Sequence, residues 1–173
     1  MIYTPTVQMR MPRMWGPDDL PMWARELQSP SPGPGATGSA ASNFLELEIL
    51  DHVLSAATFT AAATLYYALY TTSPNDTDTG TEVSTSGTAY ARQSVTNNAT
   101  NFPAASAGAK SNGALVNFGT ATGAGWGTVQ YIGLKDASSG GNLYFWGTID
   151  PSIPIYSGDS LSFPIGTITF GMD

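Results

Sequence analysis

The chain has 173 residues and a formal net charge of −7 at pH 7, and only 11 % of its residues are charged, against about a quarter in an ordinary globular domain. So few charges exclude a long helical bundle or coiled coil, and an excess of acids over bases argues against a phosphate-backbone binder. Having no cysteine removes disulfide frameworks, thiol nucleophiles and thiolate metal sites, and no apolar run approaches the roughly 18 to 20 residues of a membrane-spanning helix.

Residues 1–28 have a composition of their own. They hold five of the six methionines, two of the four tryptophans, and Arg10, Arg13 and Arg25 out of six basic residues. Pro5, Pro12, Pro17 and Pro21 block helix and interrupt sheet ladders. The segment is expected to be an extended arm that docks on another protein through Met9, Met11, Met14, Trp15, Met22 and Trp23, because Met fills irregular gaps and Trp adds a large contact. Its first fifteen residues lack the apolar stretch of a signal peptide, so the chain is expected to be used on the cytoplasmic side or packaged into something assembled there. Residues 29–43, SPSPGPGATGSAASN, read as a structureless spacer.

Residues 44–173 are expected to form a folded domain. FLELEILDHVLSA (44–56) predicts its one helix, capped by Ser42 or Asn43 with Glu46 in the first turn. Phe44, Leu47, Leu50, Val53 and Leu54 recur at the helical period and are expected to pack on the β domain. From residue 63 the period changes to two. Strands are expected over 63–71, 89–96, 114–119, 128–136, 142–150, 152–157, 159–164 and 166–172, separated by Gly-, Asn- and Ser-rich turns. Phe102, in a loop, is expected to plug into the core, and Pro154 and Pro164 mark edges or bulges. The fold class is all-β: a β-sandwich or jelly-roll-like domain with one short N-terminal α-helix and an extended N-terminal arm.

The residues offer little reactive chemistry. Asp76, Asp78 and Glu82 in NDTDTGTE miss the EF-hand spacing and read as a solvated acidic loop. His52 reads as a surface histidine, and GTATGAGWG (119–127) lacks the Lys and Ser/Thr of a phosphate cradle. The acids do not form the pair that glycoside hydrolysis needs. No enzyme, cofactor or metal is expected. Aromatic side chains remain: Tyr66, Tyr70, Tyr144 and Trp146, with Tyr131 and Trp126 beside them, are candidates for an oligomer contact or for stacking on a glycan. Alternation puts Tyr144 and Trp146 on one face of their strand and Leu143 and Phe145 on the other, so one face is expected to be an interface.

The order of segments NFLELEILDHVL, TLYYALYTTSPNDTDTGTEV, YARQSV, NNATNFPAAS, KSNGALVNFGTAT, WGTVQYIGLKDASSGGNLYFWGTI and SGDSLSFPIGTITF resembles a family of short bacteriophage and prophage tail fibre proteins over about residues 43–173. The resemblance implies a non-enzymatic virion structural protein whose partners are other virion proteins of tail, baseplate or capsid, with no nucleic acid and no membrane. The chain is expected to act as a tail-associated appendage module, homo-oligomeric and trimeric, anchored by its arm. The alternatives are a capsid decoration (cement) protein strapping capsid subunits and a carbohydrate-binding module for a host-surface glycan.

Overall fold

The computed structural model describes residues 35–172. The expected arm, residues 1–28, and the start of the expected spacer lie outside them.

The described chain is an antiparallel β fold with a single short helix. In order the elements are β1 (Gly35–Ala41), α1 (Asn43–Leu54), β2 (Thr64–Tyr70), β3 (Gln93–Thr96), β4 (Ala109–Ser111), β5 (Val116–Thr120), β6 (Gly127–Lys135), β7 (Leu143–Ile155), β8 (Ser160–Phe163) and β9 (Thr169–Gly171). Five strands form a sheet in the order β1-β7-β6-β2-β3, and β4–β9 and β5–β8 are two-stranded ribbons. Alternation on β2 and β6 points Leu65, Tyr67, Leu69, Ile132 and Leu134 to one side. There they share a core with Phe118 of β5, Phe163 of β8 and Phe170 of β9. Phe102 is buried in that core as expected, with its ring 5.9 Å from Phe170.

Four local expectations are corrected. Residues 35–41, read as part of the spacer, form β1, which pairs antiparallel with β7 from Gly35↔Asp150 to Ala41↔Phe145. Gly, Ala and Ser carry no strand periodicity, so only a waiting sheet edge gives this stretch its conformation. The expected breaks at residues 150–152 do not occur: β7 runs unbroken through Pro151 and Pro154. Among the described residues β1 reaches only as far as Asp150, and beyond that point β7 has β6 as its sole sheet neighbour, the edge setting in which a strand accepts proline. A short β4 lies where a continuous loop was expected, and β3 starts only at Gln93.

α1 lies within two residues of the expected 44–56 at each end but does not have the expected packing. Ser42 caps it, its hydroxyl accepting from the Leu45 amide at 3.3 Å and donating to the Leu143 carbonyl. The helix meets the domain through Leu45, with Phe44 and Ile49 partly buried beside it and the Phe44 ring stacked on Tyr144 at 5.9 Å. Leu47, Leu50, Val53 and Leu54, expected on the packed face, are exposed.

Candidate interaction surfaces

The outer face of the five-stranded sheet carries Tyr66, Ala68 and Tyr70 of β2, Tyr131, Gly133 and Lys135 of β6, and Trp146 of β7. Part of it is covered by the chain's own 72–92 loop, whose acids reach Tyr70, Lys135 and Trp146. Each acid expected to be solvated there has a protein partner. Asp76 accepts from the Trp146 indole at 3.0 Å. Asp78 accepts from the Tyr70 hydroxyl at 3.1 Å and pairs with the buried Lys135 ammonium. Glu82 takes a bidentate contact from Arg92 at 2.8 and 2.7 Å, and the Tyr90 hydroxyl at 3.0 Å.

Arg92 also donates to the carbonyls of Ala137 and Gly140 at 2.6 and 2.8 Å, tying the loop to the β6–β7 turn. Hydrogen bonding to Glu82 raises its already high pKa further. Burial, reinforced by these carboxylates, drives the Tyr70 and Tyr90 phenols well above their ordinary range, and burial alone does the same to Tyr67. The three carboxylates are thus spent on three separate clamps, and the loop is fastened at each end of the outer face.

This arrangement redistributes the expected aromatic contacts. Tyr70 and Tyr144 are buried, and Trp126 lies in the core with its indole donating to the Thr88 carbonyl at 2.9 Å. Tyr144 also lines an apolar groove beside α1. Tyr66, Tyr131 and Trp146 are half-buried, and the last two form a pair with ring centres 6.2 Å apart. Met9, Met11, Met14, Trp15, Met22 and Trp23, the expected docking residues, lie outside the described residues. His52 is exposed at the end of α1, its Nδ1 2.9 Å from the Ala57 carbonyl oxygen. That contact steadies the chain leaving the helix.

Among the described residues two apolar features around α1 stand open. One is a groove of about 310 Å³ lined by Leu45 and Ile49 of α1, by Phe59, and by Phe102, Phe145 and Phe170 of the core. The other is the outer stripe of α1, where Leu47, Leu50, Val53 and Leu54 are 63, 53, 69 and 78 % exposed. Ile49 and Val53 are neighbours on the helix surface, so the stripe meets the lip of the groove. Soluble chains seldom leave a contiguous apolar patch of this kind uncovered.

The loop clamps were missed in the sequence, although a signal was there. Outside residues 1–28 the chain has three basic residues, Arg92, Lys110 and Lys135. Two of them follow strand-like apolar stretches, downstream of an acid-rich loop.

The family model of the podophage GP4 fiber I protein gp80 matches residues 40–171. No curated protein matches the chain. The match begins at the last two residues of β1 and takes in α1 and every later strand, so it coincides with the folded unit carrying both surfaces. The chain belongs to the podophage GP4 fiber I protein gp80 family, a family of phage fibre structural proteins, and is a component of the virion.

Proposed function

We propose that this chain is a non-enzymatic, tail-associated fibre module, held on the particle by residues 1–28 and displaying its β domain outward. The observation that carries the reading is the boundary of the family match. It stops at residue 40, and the segment before it concentrates methionine, tryptophan and arginine. Large apolar side chains on a proline-interrupted stretch suit docking on a preformed partner better than independent folding. The clamped acids of the 72–92 loop support a role without catalysis, since each carboxylate already holds a neighbouring group in place.

The test uses the full chain with Trp15 and Trp23 changed to Ala. The variant is expected to stay soluble and folded and to be lost from purified particles. Incorporation at wild-type level would overturn the docking role. Images of the intact particle distinguish the tail reading from capsid decoration, because copies spread over the shell would contradict a tail-associated module. The half-buried Tyr131–Trp146 pair supports contact with a host-surface glycan as a second reading, and silence of the protein on an array of such sugars would remove it.

A further inference from the structure

We propose that the cleft between β3 and β5 is a binding site for a neutral saccharide. The reading rests neither on where residues 1–28 dock nor on the Tyr131–Trp146 pair, which lies on the opposite face of the sheet. β3 is an edge strand of the five-stranded sheet, and β5 belongs to a separate ribbon. The seam between them holds a space of about 390 Å³, the size of a small-ligand pocket. Asn97 donates its backbone amide to the Ala63 carbonyl, so the Leu65–Val95 and Tyr67–Gln93 pairs carry the ladder bonds between β2 and β3. The backbone groups of Ser94 and Thr96 therefore point away from β2, toward the cleft. Asn101 donates to the Thr96 carbonyl at 2.9 Å. The Thr96 amide and both backbone groups of Ser94 are left without a sheet partner among the described residues.

The lining decides the class of ligand. The amides of Gln93, Asn101 and Asn117 stand among Val95, Leu115 and Val116, and none of the described residues lining the cleft is charged. An ion would find no counter-charge there, whereas amides beside methyl groups suit the hydroxyls and C–H faces of an uncharged sugar. A peptide strand does not fit. Cα atoms of β3 and β5 approach within 8 Å of each other, and a strand between them needs about 9.6 Å, twice the inter-strand spacing. Tyr67 is the second, independent observation. It lines the cleft, and its hydroxyl is buried with no hydrogen-bond partner among the described residues. The other buried phenols, Tyr70, Tyr90 and Tyr144, each have one. An unpaired buried hydroxyl is costly and calls for a partner. A second space beside Tyr67 is only about 10 Å³ and mostly apolar, at the lower limit for a single water. A sugar hydroxyl, which both donates and accepts, completes Tyr67 from the cleft. The phenol oxygen lies just beneath the cleft surface, and β3, four residues long with β2 as its sheet neighbour, yields to admit that contact.

The experiment is an amide NMR titration of the full, isotope-labelled chain with glucose, galactose, mannose, maltose and lactose, and with glucuronate as their charged counterpart. At least one neutral sugar is expected to shift the backbone amides of Ser94 and Thr96 and the side-chain amides of Asn101 and Asn117 saturably. Glucuronate is expected to bind more weakly, because its carboxylate would enter a cleft without a cation. Tyr67→Phe removes a hydroxyl that has no partner among the described residues. Its melting temperature is therefore expected to match or exceed the wild type, while affinity for the same sugar falls about fivefold. No saturable shift with any of these sugars, undiminished affinity in Tyr67→Phe, or glucuronate bound as tightly as the neutral sugars would overturn the proposal. Shifts confined to Tyr131 and Trp146 would also overturn it, and would leave the outer-face glycan reading standing.

Discussion

The Lys135–Asp78 pair gives the sharpest test of how the outer face is held, because its two halves are buried to different degrees. Lys135 is 4 % exposed, whereas the Asp78 side chain retains 26 %. Asp78→Ala removes the carboxylate paired with this buried ammonium, and stranding a buried charge costs about 3–5 kcal/mol. The same change deprives the Tyr70 hydroxyl of its acceptor, which adds about 1 kcal/mol or more for a buried group left unsatisfied. Lys135→Met leaves a carboxylate that still has water and the Tyr70 hydroxyl, and its butyl-length stem is replaced by an apolar one, so the loss is expected to be about 1–2 kcal/mol. The double variant is expected about 1 kcal/mol below Lys135→Met, because Tyr70 has lost its acceptor, and still well above Asp78→Ala in stability. Urea unfolding followed by circular dichroism measures all three, and the larger loss corresponds to roughly 10 °C or more in melting temperature. An Asp78→Ala variant as stable as Lys135→Met would refute the argument, because it would mean that Lys135 is not dependent on its partner.

Three further outcomes follow from buried groups elsewhere. Tyr67, Tyr70 and Tyr90 have pKa values raised far above 10.0 in the folded chain. Their stabilising contribution is therefore complete below pH 10 and lost as pH rises above it, by about 1.4 kcal/mol per phenol per pH unit. Unfolding should steepen between pH 10 and 11 with a jump in phenolate absorbance, and Tyr67→Phe should reduce that slope by about a third. Asn112 is buried and donates to the carbonyls of Ala114 and Pro164 at 2.9 and 2.8 Å while accepting from the Ile168 amide at 2.9 Å. Asn112→Ala is expected to cost about 2–4 kcal/mol in chemical denaturation and to raise amide exchange at Ile168. Gly125 has φ +76°, and a Cβ there would meet the Ile155 carbonyl oxygen at 2.4 Å. Gly125→Ala is expected to cost about 2–4 kcal/mol, read as a lowered melting temperature.

The fibre-like β domain was legible from local pattern, because period-two alternation in TLYYALY and TVQYIGLK and the glycine-rich turns between strands act within a few residues. The helix was legible too: Ser42, Glu46 and the apolar spacing fix its start, and its ends agree with 43–54. Its partner was not. Helical periodicity shows which side chains share a face but not which face the domain takes, and the sheet took Leu45 and Ile49 while leaving Leu47, Leu50 and Leu54 outside. Likewise an acidic run such as NDTDTGTE looks solvated when read alone. Its carboxylates find Lys135, Arg92 and Trp146 only because the chain returns from 10 to 70 residues away. Composition and short-range periodicity thus determined the all-β class, the helix and the turns. Only the tertiary structure decided that residues 35–41 are a strand, that the loop acids are clamps, and that a leucine stripe is left open, since each depends on a surface supplied by distant sequence.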